Sequence, residues 1–163
     1  MSRLIFDIEA DGLLDTVSQC WCIVTLDIDT KEMKEYYSDG TGYTNHPLGG
    51  LDALLQADLL IGHNIVGYDI PALTKLYSPS EPWPKVLDTL ITSRFLWPER
   101  PWGHSLEAWG EHLGNKKGDF HDWSKFSTEM LEYCKQDVWV NYEIYKQLEK
   151  DNEQEFEGFR IYT

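Results

Sequence analysis

The chain has 163 residues, the size of one domain, and its 42% hydrophobic and 26% charged residues are the balance of a globular protein, not a disordered or fibrous one. With 14 basic against 28 acidic residues the net charge is −14, which argues against nonspecific binding to nucleic acid. No apolar run is long enough to span a membrane, the start Met1-Ser2-Arg3 leads into too short an apolar stretch for a secretory signal, and Cys20, Cys22 and Cys134 make no disulfide framework. In chain order, Leu4-Ile5-Phe6-Asp7-Ile8-Glu9 reads as a strand that ends in carboxylates. Residues 20–26 and 33–37 form two more strands around the turn Asp27-Ile28-Asp29-Thr30, an antiparallel meander. Residues 40–50 read as a loop, 51–57 as a short helix and 59–61 as a brief buried strand. A helix begins near Asp69, a fifth strand occupies 85–87, and Asp88 opens a helix to Leu96. After the break Pro98-Glu99-Arg100-Pro101, residues 105–113 resume as helix and 114–126 are polar and irregular. Ser127 caps the longest helix, residues 128–150, whose Leu131, Cys134, Val138, Tyr145 and Leu148 share one apolar stripe, with Tyr133, Asp137, Asn141 and Ile144 on the opposite face. The expectation is a single domain over residues 1–163, of α/β class, with a mixed five-stranded sheet flanked by helices.

Three carboxylate clusters carry the chemical interest. Asp7 and Glu9, two apart on a strand, project from the same face about 7 Å apart along the backbone and repel unless a cation sits between them. The segment His63-Asn64-Ile65-Val66-Gly67-Tyr68-Asp69 leaves the C-terminal end of a buried strand and enters a helix, where open α/β sheets place their sites. Taken alone, Asp69 followed by Pro71 also fits ordinary helix-start chemistry, and His63 a hydrogen-bonded loop histidine. Tyr133 and Asp137, at i and i+4, lie a turn apart on one helix face. A rival motif, Asp7-Ile8-Glu9-Ala10-Asp11-Gly12, resembles the opening of a calcium-binding loop, but its twelfth place, a bidentate Glu in such loops, is Ser18.

In order, Asp-x-Glu, Asn-x3-Tyr-Asp and Tyr-x3-Asp form one pattern that resembles the DEDD superfamily of 3′–5′ exonucleases, in its tyrosine subclass. Together with His63-Asn64, Asp88-Thr89-Leu90, His104-Ser105-Leu106-Glu107-Ala108-Trp109-Gly110 and Gln136-Asp137-Val138, nearly the whole chain looks like the proofreading domain of short-tailed-phage family-A DNA polymerases. The resemblance implies a ribonuclease H-like (DnaQ-like) fold and two divalent cations, Mg²⁺ or Mn²⁺, about 3.5–4 Å apart. It implies that Asp7 is shared by both ions, Glu9 and Asp137 complete the first site, Asp69 holds the second, and Tyr133 orients the attacking water. It further implies that Ala10, Leu13, Asn64 and Tyr68 line the pocket for the terminal nucleotide of a single-stranded DNA 3′ end.

The resemblance places the activity in a bacterial or phage-infected cytoplasm. The chain ends at Thr163 without a polymerase region, so the expectation is a nuclease that is free-standing or works beside a separate DNA polymerase. The competing reading is a catalytically silent subunit of the same fold that binds a polymerase or replisome. Arg94, Arg100, Lys116 and Lys117, in the locally basic strip 85–117, are the candidates for holding upstream phosphates. Trp97 and Trp102, two of seven tryptophans, are candidates for stacking on bases or meeting a partner, and the tail 156–162 for packing back on the domain.

Overall fold

The computed structural model describes residues 1–38, 46–115 and 119–155, with side chains through Asn152. Its elements are β1 (Arg3–Ala10), β2 (Cys20–Asp27), β3 (Met33–Tyr37), α1 (Pro47–Leu55), β4 (Leu59–Gly62), α2 (Asp69–Tyr77), β5 (Lys85–Asp88), α3 (Thr89–Leu96), α4 (Leu106–Leu113) and α5 (Thr128–Glu155). The five strands make one mixed sheet in the order β3-β2-β1-β4-β5. β1 pairs antiparallel with β2 and parallel with β4, which puts it at the centre. The β2–β3 turn is pinned by Asp27, whose Oδ1 accepts the backbone N–H groups of Asp29 (2.9 Å) and Thr30 (3.0 Å).

Alternation along β1 decides what lies on each face of the sheet. Leu4, Phe6, Ile8 and Ala10 join Leu51, Leu54, Ala72 and Leu73 of α1 and α2 in one core. Ile5 points the other way, into a second core with Val24 and Leu26 of β2 and with Leu131, Cys134 and Val138 of α5. Asp7 and Glu9 share the parity of Ile5 and therefore lie on the α5 side. Each fully buried Leu or Ile in these layers contributes about 1.5–3 kcal/mol relative to exposure.

Two elements differ from the sequence reading. α1 begins at Pro47, inside the segment read as loop, because His46 Nδ1 caps it by accepting the N–H of Leu48 at 3.2 Å and Pro47 suits a first turn. Gly50 lies within that helix because a Cβ there would meet Ile23 and Tyr36 at 3.1 Å, so this glycine serves close packing and not a turn. In α5, Asn141 and Ile144 are buried, not on an outward face: Ile144 joins Val140, Leu148 and Trp109 in a third core against α4. α5 is packed on two sides, which a single apolar stripe does not describe. Residues 40–45 of the expected loop, the tail 156–162, Lys116 and Lys117 lie outside the described residues. No described helix is long and apolar enough to cross a membrane.

Candidate active site

The first two carboxylates owe their position to where pairing ends. The β1–β4 register runs from Arg3 to Ile5, and the β1–β2 register slips between Glu9 and Ala10. Asp7 and Glu9 therefore sit where the central strand runs on past β4 while still paired with β2, beneath α5. Glu9 is buried, and its Oε2 accepts the indole N–H of Trp123 at 2.7 Å. The thiol of Cys134 lies 3.5 Å from both the carbonyl oxygen and Oδ2 of Asp7, to which it is a weak donor. Ligand atoms of Asp7, Glu9 and Cys134 all fall within 4.8 Å of one another, close enough to share one ion.

Asp69 comes from the far side of β1. It opens α2 but does not cap it: the N-cap is Tyr68, which makes no side-chain cap bond. The Asp69 carboxylate instead faces the backbone N–H of Ile8, the residue between Asp7 and Glu9, whose dipole favours its charged form. It is 4% exposed, and its Oδ2 is buried without a hydrogen-bond partner. Burial holds its carboxyl well above the usual carboxylate range, and the neighbouring charges of Glu9 and Asp88 push the same way. A buried acid with an unpartnered oxygen beside two further acids is a donor set of hard oxygens that fits a divalent cation.

Tyr133 enters from α5. Its ring centroid stands 5.8 Å from that of Phe120 and 6.4 Å from that of Trp123, so Tyr133 and Glu9 contact the same indole. Asp137, one turn further along α5, is 4% exposed. The trio able to share one ion includes Cys134 and, as the side chains stand, neither Asp137 nor Asp69.

Beside Glu9 opens a cavity of about 380 Å³ lined by Ala10, Gly12, Leu13, Tyr68 and Trp123. Tyr68 donates its hydroxyl to the carbonyl of Gly12 at 2.6 Å, and burial, helped by Asp69, pushes its pKa up to about 12. Leu13 is 75% exposed and also lines an adjoining cleft with Asn64, Gly67 and Tyr68. Three of the four expected pocket residues thus share one cavity, and Asn64 borders it.

Asp88 organises this loop. It caps α3 by accepting the N–H of Leu90 at 2.9 Å, and it also accepts those of Asn64 and Val66, both at 3.0 Å. Asn64 itself sits at φ +62°, a conformation asparagine tolerates better than most residues. His63 bridges Thr89 Oγ1 (2.9 Å) and the carbonyl of His104 (2.8 Å), as expected for a hydrogen-bonded loop histidine. His104 Nδ1 meets Ser93 Oγ at 2.7 Å. That hydroxyl already accepts from Trp109 Nε1 and Arg100, so its own proton goes to His104 Nδ1. Burial, then the charges of Arg100 and Arg94, lower the His104 pKa, in keeping with a neutral ring that accepts there.

The expected phosphate contacts divide. Arg94 is exposed on the last turn of α3. Arg100 is taken up elsewhere: its guanidinium carbon stands 3.0 Å and 3.3 Å from the ring centroids of Trp102 and Trp109, and it donates to Ser93. Desolvation there lowers its pKa to about 10. Trp97 and Trp102 both pack edge-on against Trp109 in this aromatic cluster. The calcium-loop reading is overturned, because Asp7 and Glu9 lie on a strand and Asp11 spends its carboxylate on Ser18 and the backbone of Gln19. Trp123 and the position of Cys134 beside Asp7 went unseen in the sequence. An isolated Trp in a polar stretch has no periodic signal, and Cys134 reads equally well as core.

No family model matches the chain. Over an alignment of 194 residues it is 31% identical to the DNA-directed DNA polymerase of Escherichia phage T7, covering 91% of this chain and 27% of the polymerase. The chain thus spans about a quarter of the length of this relative. Among solved structures, Brucella melitensis NrnC with bound Mg²⁺ superposes with a TM-score of 0.71 at 19% identity, covering 95% of this chain and 75% of that one. The Aedes aegypti Nibbler EXO domain superposes with a TM-score of 0.66 at 16% identity, covering 96% and 81%. The chain has the ribonuclease H-like, DnaQ-like exonuclease fold, and in sequence it resembles about a quarter of the length of the phage T7 and T3 DNA polymerases.

Proposed function

We propose that this chain is a metal-dependent 3′–5′ exonuclease that shortens single-stranded DNA from its 3′ end. The observation that carries the reading is the convergence on one strand end of Asp7 and Glu9, whose ligand oxygens lie within 4.8 Å of each other, with the buried, unpartnered Oδ2 of Asp69 close by. A DNA polymerase as sequence relative and a fold relative with bound Mg²⁺ support it.

Asp7, Glu9 and Asp137 are the residues that would hold one divalent cation, Mg²⁺ or Mn²⁺, and Asp69 with Asp7 those that would hold a second. When bound, such ions lower the pKa of a water and neutralise charge on the phosphate and the departing 3′ oxygen. The protein supplies the positioning. Trp123 fixes Glu9 through its indole N–H. Tyr133, held between Phe120 and Trp123, orients the attacking water with its hydroxyl. Ala10, Leu13 and Tyr68, with Asn64 at the border, seat the terminal nucleotide. Arg94, Lys116 and Lys117 meet phosphates further along the strand. Four carboxylates and two divalent ions sum to zero charge, so the scissile phosphate meets cations despite a net −14. A separate or adjoining DNA polymerase is the natural companion of this activity.

The test is a 5′-labelled single-stranded DNA oligonucleotide incubated with Mg²⁺ or Mn²⁺, or with chelator. Stepwise shortening from the 3′ end, lost with chelator and in Asp7→Ala and Asp137→Ala, is the expected result. An intact oligonucleotide with either metal refutes the nuclease reading and leaves the silent subunit. RNA run in parallel separates the two substrate classes.

A further inference from the structure

Cys134 has no role in the hydrolysis described above, yet its sulfur stands within 4.8 Å of the ligand oxygens of Asp7 and Glu9. The three atoms come from two elements, β1 and α5, and all three residues are half-buried or buried. A triangle with no side above 4.8 Å has a centre at most about 2.8 Å from its corners, so modest closure reaches the 2.0–2.3 Å of zinc bonds. A second observation stands beside it: Asp69, 4% exposed and close enough to Glu9 for the two charges to interact, keeps Oδ2 without a hydrogen-bond partner. Two carboxylates and a thiol differ in kind from an all-oxygen set. Mg²⁺ and Mn²⁺ gain nothing from sulfur, whereas thiophilic ions prefer it.

We propose that Asp7, Glu9 and Cys134 form a site for a thiophilic divalent cation of the Zn²⁺ or Cd²⁺ class, which excludes the catalytic ion and silences the enzyme. The inference rests on the metal-binding part of the proposed function. Binding converts the Cys134 thiol to thiolate, forming one metal–sulfur bond and releasing one proton to solvent, with no change of oxidation state.

Cd²⁺ is the probe. Titrated into the full chain, it is expected to raise a sulfur-to-cadmium charge-transfer band in the ultraviolet at one equivalent, and to displace Mn²⁺ followed by electron paramagnetic resonance. Cys134→Ala should abolish the band and weaken Cd²⁺ binding by at least about tenfold, while leaving Mn²⁺ affinity within about threefold. Cys134→Ser, closer in volume, gives the same result if the alanine variant folds poorly, and Cys22→Ala keeps the band. A band that persists without the Cys134 sulfur, or Cd²⁺ that binds without displacing Mn²⁺, overturns the proposal. Failure of Mn²⁺ itself to bind the wild type, or its indifference to Asp7→Asn, would instead refute the metal-dependent function.

Discussion

Trp123 and Tyr133 show how single side chains divide the work around Glu9. Replacing Trp123 by Phe keeps the ring against Tyr133 and removes only the donor to Glu9 Oε2. The expected outcome is Mn²⁺ affinity lower by about tenfold with the thermal midpoint nearly unchanged, measured by titration and calorimetry. Tyr133→Phe is the converse case. Turnover on single-stranded DNA should fall by about a hundredfold while Mn²⁺ affinity holds, because the hydroxyl meets water and not metal. A large loss of metal affinity in that variant would contradict the role given to Tyr133. At this scale the carboxylates were legible because residue type and spacing both carry meaning: Asp-x-Glu on a strand must share a face, and Tyr-x3-Asp on a helix must lie a turn apart. The contact of Trp123 with Glu9 spans 114 residues of sequence and left no local trace.

Among the elements, helix starts were readable where a side chain caps them. Asp88, Ser105 and Ser127 stand at or just before helix starts and each accepts a backbone N–H from the first turn. Asp88 goes further, since the same carboxylate holds Asn64 and Val66, and sequence has no means of separating a cap from a clamp. Asp88→Ala frees four backbone donors at once. Stability should drop by about 3 kcal/mol in denaturant titration, and activity should fall even where the protein stays folded, because the loop leading to Asp69 loosens. The 104 loop predicts a pH effect. His104 has its pKa lowered in the folded state, so stability is complete above the unfolded value near 6.5 and is lost as pH falls through that value towards the folded one. His104→Asn retains an acceptor for Ser93 but does not titrate. In metal-free buffer the thermal midpoint of the wild type should therefore fall more steeply than that of His104→Asn between about pH 7.5 and 5.5.

For the molecule as a whole, the antiparallel meander at the start and the mixed five-stranded sheet flanked by helices were readable from the order of elements. The burial of α5 on two sides was not, because Asn141 and Ile144 acquire their neighbours only when α3 and α4 fold against it. That double packing makes α5 the rigid carrier that brings Cys134 to Asp7 and sets Tyr133 beside Trp123. In the proposed function, β1, α2 and α5 together build one basket for divalent ions. The most direct measurement is anomalous scattering at the manganese edge from crystals of the chain grown with Mn²⁺ and a nucleoside monophosphate. Two manganese peaks are expected, both bonded to Asp7, one also to Glu9 and Asp137 and the other reached by Asp69. Manganese found only away from Asp7, or no peak near β1 at saturating ion, would refute the two-ion site.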